Sequence, residues 1–192
     1  MKIVLDAVAQ RLMVADESLI RIPEICDATG VNYGSVYHHF GSREGVIDAA
    51  YAMMFTSLAD ADIANLRRIT SSAAGFVEYP DAILAIVSAF TSGVDRRERR
   101  SLRLRIIAAS LTRPQLRATI AVEEHRLTEE LMRLAQRSQE RGWLRCDLSA
   151  HSIAVLVQVL LIGRTIDDVS TTPIEDREWA EAMTTVLRRA SS

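Results

Sequence analysis

The sequence predicts an all-α protein of about nine helices, with a short three-helix head at the N-terminus and a larger helical part after it. Three observations carry this. Helix breakers are few, with 8 glycines and 4 prolines in 192 residues, and aromatic residues make up only 5%. Apolar residues recur every three to four positions over long stretches, and no segment alternates as a strand would. Finally, two short apolar-faced segments flank a glycine near residue 30, which is the plan of a helix-turn-helix.

The elements follow in order. Residues 2–15 place Ile3, Val4, Ala7, Val8, Arg11 and Leu12 at helical spacing, and Asp16-Glu17-Ser18 interrupts the pattern. Pro23 suits the first turn of a second helix, where a missing N–H costs nothing. That helix sets Ile22, Ile25 and Cys26 on one side and ends near Thr29-Gly30, a glycine fitting the C-terminal cap. Asn32 is placed to cap a third helix, roughly Tyr33 to His39. Gly41 breaks the chain, and Ser42 starts a long helix with Glu44 in its first turn and Ile47, Tyr51, Met54, Leu58 and Ala61 as its stripe.

Beyond it, residues 71–80 read as a linker, and a helix is expected from about Asp81 to Arg96, followed by an arginine-rich turn into residues 101–111. Pro114 opens another long helix, which ends at Gly142 and carries Leu116, Ile120, Leu127, Leu131 and Leu134. Ser149 caps a helix to about Asp167, and Pro173 opens the last one, with Trp179, Met183 and Val186 aligned. The expected domains are residues 1–45 and 46–192.

Composition narrows the function classes. Hydrophobic residues are 48%, charged residues 25% and the net charge is −2, an ordinary globular balance. Cys26 and Cys146 lie far apart and form neither a disulfide framework nor a zinc pattern. No signal peptide is visible, and the apolar run Ile153–Ile162 is half a membrane span. There is no phosphate loop, no GxSxG and no HExxH. None of the four histidines has a glutamate three positions before it, as a helical di-iron site would need. No enzyme, cofactor or metal site is therefore expected.

The informative stretch is IPEICDATGVNYGSVYHHFGSREGVI, Ile22 to Ile47. In a helix-turn-helix the second helix enters the major groove with its N-terminal end first. Here that helix offers Asn32, Tyr33, Gly34 and Ser35, then Tyr37, His38 and His39. Small residues allow close approach, and hydroxyls and imidazoles can bond base edges or phosphates. Val31, Val36 and Phe40 would point back onto Ile25 and Ala28.

On these residues the chain resembles the tetracycline-repressor (TetR) family of bacterial transcription regulators. The family pattern runs roughly I-A-x-x-A-G-V-S-x-G-T-L-Y-x-H-F-x-S-K-E-x-L. It is met by Ile25-Cys26, Ala28-Thr29-Gly30-Val31-Asn32, Gly34-Ser35-Val36-Tyr37, His39-Phe40 and Ser42-Arg43-Glu44. The match is dense over about 25 residues, and later echoes such as Gly142-Trp143-Leu144 are weak. The resemblance implies a cytoplasmic homodimer that binds a palindromic DNA operator and responds to a small apolar or amphipathic effector, most often as a repressor. It implies DNA contacts at Asn32, Tyr33, Gly34, Ser35, Tyr37 and His38, with His39 and Arg43 reaching phosphates. It is also the reason to name Met54, Phe55, Leu58, Ile86, Phe90, Glu123 and Leu127 as a candidate effector pocket.

Two departures stand out. Arg21-Ile22 replaces the Ser or Thr that usually caps the second helix. Residues 1–45 carry four basic residues (Lys2, Arg11, Arg21, Arg43) against six acidic ones (Asp6, Asp16, Glu17, Glu24, Asp27, Glu44), whereas phosphate neutralisation normally supplies much of DNA affinity. A helical protein-interaction module that has lost DNA binding is the competing reading.

Three further features carry expectations. The basic run Arg96-Arg97-Glu98-Arg99-Arg100, with Arg103 and Arg105, is expected to pair with nearby acids on a solvated face or to reach a phosphate. Glu123 interrupts an apolar stripe and needs a partner, an arginine of a neighbouring helix being expected. Residues 152–162 are apolar all round, so one side is expected to meet a second chain. Ile153, Leu156, Val157 and Leu160, with Trp179, Met183 and Val186, are the candidate dimer interface.

Overall fold

The computed structural model describes residues 1–71, 94–142, 144 and 146–189. These residues are all-helical and contain no strand. They form α1 (Lys2–Val14), a 3-10 turn (Glu17–Leu19), α2 (Ile22–Thr29), α3 (Tyr33–Phe40), α4 (Arg43–Ser71), α5 (Val94–Ser110), α6 (Pro114–Glu140), α7 (Ala150–Asp168) and α8 (Asp176–Arg189). The expected linker and most of the helix after it, with Ile83, Ile86, Val87 and Phe90, lie outside the described residues.

Two local expectations are corrected. The arginine-rich stretch is no turn: Arg96 to Arg105 lie within one continuous helix, α5. The last helix begins at Asp176 and not at Pro173.

The chain groups into two units by contact: Met1–Leu58 with Arg105–Glu123, and Ala59–Leu104 with Glu124–Ser192. The first unit takes in residues 1–45 and the first half of α4. On α1 the four-residue step buries Val4, Val8 and Leu12, while Ile3, expected in that stripe, is 55% exposed. Ile20, Ile22, Ile25, Cys26, Val36, Val46, Ile47, Tyr51, Phe55, Ile106, Leu116 and Ile120 complete this core. Removing one such side chain, as in Leu12→Ala, would cost about 2–5 kcal/mol. Met54 and Leu58 are buried here too, and Glu123 accepts a hydrogen bond from the Thr56 hydroxyl at 3.1 Å.

The second unit packs Ile63, Leu66, Leu127, Leu131, Leu134 and Ala154 into a cluster, with Met132, Val157 and Leu161 against it. Beside that cluster runs an ionic network. Asp62, 7% exposed, receives Arg96 and Arg99 at 3.3 Å each and also Arg103. Arg103 reaches Glu124 as well, at 3.1 Å, and burial pushes that carboxyl above the usual carboxylate range against the pull of Arg103. Asp168, 3% exposed, is held by Nε and one terminal nitrogen of Arg100 at 2.7 Å each, a bidentate fork, and its carbonyl accepts from Arg97. Arg164 is also buried; it pairs with Asp167 and with Asp176 at 3.3 Å, and its guanidinium lies 5.4 Å from the Trp179 ring centre. The expected pairing of the basic run with acids is met, but in a part-buried network and not on a solvated face.

On α7, Leu156 is 43% exposed, and Val155 and Val159 beside it are exposed as well. Ile153, Leu160, Trp179 and Met183 are half-buried, and Val186 is 50% exposed. Val157, grouped with the candidate interface from the sequence, packs on its own unit's core. Ala150–Asp168 has the length and hydropathy to cross a membrane. The same helix nevertheless carries Arg164 and Asp168, which are spent in the ionic network.

Candidate nucleic-acid interface

The candidate interface is built by caps that hold two short helices around a tight turn. Arg21 stands at the N-cap of α2 and makes no side-chain capping bond, so its guanidinium is not spent there. Gly30 ends α2 in the left-handed region, φ 69°, a conformation that favours glycine. Asn32 caps α3, its Oδ1 accepting from the Ser35 N–H at 3.2 Å, a bond of the kind that contributes about 1 kcal/mol. Ser42 caps α4 in the same way, accepting from the Gly45 N–H at 3.0 Å.

The α3–α4 corner explains a glycine that sequence reasoning missed. A Cβ on Gly45 would stand 2.1 Å from the Phe40 carbonyl oxygen, a backbone atom that cannot swing away. Only glycine lets α4 begin this close to the end of α3. Gly34 is less constrained: a Cβ there would meet the Asn32 side chain at 3.1 Å.

Val36 anchors α3 as its one fully buried residue, Val31 and Phe40 being half-buried. Ala28, expected beneath them, is exposed, and Cys26 takes the inner position. Burial also raises the Cys26 thiol above its usual range, which keeps it protonated.

The opposite face of α3 is open. Asn32, Tyr33, Gly34, Ser35, His38 and His39 are exposed and Tyr37 is half-buried. Tyr33 and Tyr37 form a tilted stack one turn apart, ring centres 4.4 Å apart. The hydrogen bond between Tyr37 and Tyr33 pushes the Tyr37 phenol up to about 12, so Tyr37 is neutral and a donor at neutral pH. His39 meets the Phe40 ring edge-on at 4.6 Å. All eight candidate DNA residues therefore fall on one short segment, residues 32–43.

Arg43 has a use the sequence did not reveal. Its Nε donates to the Ile20 carbonyl at 3.1 Å, one terminal nitrogen donates to the Glu17 carbonyl, and the other lies 3.4 Å from Glu44. Two of its nitrogens thus tie the start of α4 to the turn before α2, and the third faces its own neighbour on α4. Arg113 reinforces this tie, reaching Glu17 and, at 2.8 Å, Asp48. Neither tie leaves a signal in sequence, because the partners are carbonyls or acids up to 96 positions away.

The candidate effector residues are divided between the two units and the undescribed segment. Met54, Phe55, Leu58 and Glu123 belong to the first unit, Leu127 belongs to the second, and Ile86 and Phe90 lie outside the described residues.

Comparison with known proteins adds independent support. Residues 18–50 match the family model described as bacterial regulatory proteins, tetR family. The chain is 23% identical over 137 residues to the HTH-type transcriptional repressor AcnR of Corynebacterium glutamicum, covering 71% of this chain and 64% of that protein. This chain thus aligns with just under two thirds of that relative's length. Among solved structures it shares the fold of Salmonella enterica GusR, at TM-score 0.69 and 20% identity, covering 98% of this chain and 93% of that one. It also shares the fold of a tetR-family bacterial regulatory protein from Rhodococcus RHA1, at TM-score 0.68 and 15% identity, covering 100% and 96%.

Proposed function

We propose that the chain is a member of the tetR family of bacterial regulatory proteins, whose model its residues 18–50 match, and that it is a sequence-specific DNA-binding repressor. The observation that carries this reading is the open polar face of α3, capped by Asn32 and anchored by Val36 alone. A helix held at one buried point, with hydroxyls, an amide and imidazoles outward, suits insertion into a major groove. Ser35 and His38 face outward with no further side-chain bond among the described residues, which fits them for base edges. Asn32 and Tyr37, already engaged within α3, suit phosphate and positioning contacts.

The protein acts in the cytoplasm as a homodimer on a palindromic operator, each head reading one half-site. The exposed apolar residues Leu156 and Val186, continuous with Val155 and Val159, support pairing through α7 and α8. A small effector binding the part of the chain after residue 45 releases the DNA. The test is to let the purified full chain select duplexes from a random-sequence pool. Enrichment of a palindrome with half-sites about one helical turn apart supports the reading. Recovery of no common sequence at low salt defeats it.

A further inference from the structure

We propose that DNA binding by this head is coupled to proton uptake at His38 and His39, the protonated imidazoles supplying charge that its lysine and arginines, Arg21 excepted, do not. This inference rests on the DNA-binding reading above.

The first observation is how the head's permanent cations are used. Lys2 pairs with Asp6 at 2.7 Å, Arg11 approaches Glu24 at 3.4 Å, and Arg43 is held by two carbonyls and Glu44. Arg21 is left exposed at the start of α2. The segment 31–42, which carries the recognition helix, contains no lysine or arginine at all. Its only residues able to become cationic are His38 and His39.

The second observation is where those two residues sit. Both are exposed, on the last turn of α3. The helix dipole there favours a positive side chain. Among the described residues neither imidazole has a hydrogen bond or ion pair; His39 touches only the Phe40 ring. The ionisable groups nearest in the chain are Arg21 at the N-cap of α2, Glu24, Cys26 and Asp27 within it, and Arg43, Glu44 and Asp48 in the first two turns of α4, with Tyr33 and Tyr37 on α3 itself. Four of the five charged groups within α2 and the first two turns of α4 are acidic. Arg43 is held at carbonyls, and Asp48 is already paired with Arg113. A phosphate brought alongside either imidazole favours its cationic form over the neutral one.

The consequence follows from linkage. An imidazole changes charge between about pH 5 and pH 8. If DNA binds the protonated form more tightly, affinity rises as pH falls, and each phosphate contact made by a new cation releases counterions.

The experiment uses the full chain and a duplex it has enriched from a random-sequence pool. Affinity should rise about tenfold or more from about pH 8 to about pH 6. The slope of log affinity against log salt should steepen by about 1 at the lower pH. Calorimetry in two buffers of different ionisation enthalpy should register net proton uptake. The paired variant His38→Gln with His39→Gln should flatten the pH dependence, while His125→Gln on α6 should leave it intact. An affinity that does not change with pH, or buffers that register no protons, overturns the proposal while leaving the DNA reading in place. A pH dependence retained by the paired variant also overturns it. If that variant loses its helical circular dichroism, the single variants and the wild-type calorimetry decide. Failure to enrich any duplex at either pH overturns the DNA reading itself, and this proposal with it.

Discussion

Helices α3 and α5 treat their polar side chains in opposite ways. α5 carries six arginines between Arg96 and Arg105 and looks, as sequence, like the basic element of a nucleic-acid binder. Yet Arg96, Arg99 and Arg103 converge on Asp62, and Arg100 forks onto Asp168. α3 has no arginine or lysine, and its polar groups are exposed. The proposed binding helix is set apart by exposed polar side chains such as Ser35 and His38, not by formal charge.

The comparison breaks first if the arginines of α5 prove dispensable to the fold. Asp168→Ala would leave Arg100 and Arg164 buried beside a missing carboxylate, and removing one partner of a buried pair costs about 3–5 kcal/mol. Urea unfolding of the variant should show that loss. A stability equal to the wild type would mean these charges are solvated, and α5 would again be a candidate for DNA.

Next in size is the corner that sets α3. Gly45→Ala forces a methyl into the Phe40 carbonyl, and such overpacking costs about 1–3 kcal/mol. Thermal unfolding should fall accordingly and operator affinity with it, since Phe40 is the end of the recognition helix.

Ser35→Ala sharpens the contrast from the other side. Its hydroxyl is exposed and only its N–H is used by Asn32. Operator binding should weaken by about 1–3 kcal/mol, the scale of one base contact. Stability should stay within about 0.5 kcal/mol of the wild type, as for surface positions generally. A fold-destabilising Ser35→Ala with intact binding would make α3 a packing element.

Much of this was legible in the sequence because it is local. Asn32, Ser42 and Ser149 cap the helices their positions announce, and Gly30 closes α2 as its place after Thr29 implies. The open face of α3 follows from the spacing of Val36 against Tyr33, Ser35 and His38. What could not be read is the destination of long side chains. Asp62 and Arg103 stand 41 positions apart, and nothing in either neighbourhood names the other. Arg43 holds the place where the family resemblance implies a phosphate contact, and nothing near it in sequence announces the ties of its guanidinium to Glu17 and Ile20. Val157 sat in an all-round apolar run, where periodicity cannot choose a face.

The smallest expected effect separates free from committed cations. Arg21→Gln should lower the salt slope of operator binding by about 1, and Arg96→Gln should leave it unchanged. Arg43→Gln should act mainly on stability, through the lost carbonyl ties.

The most direct measurement is amide hydrogen exchange of the full chain with and without its selected duplex. The account predicts new protection in peptides spanning residues 32–43 and none in peptides spanning residues 96–104. Protection confined to residues 96–104, with residues 32–43 unchanged, would contradict it.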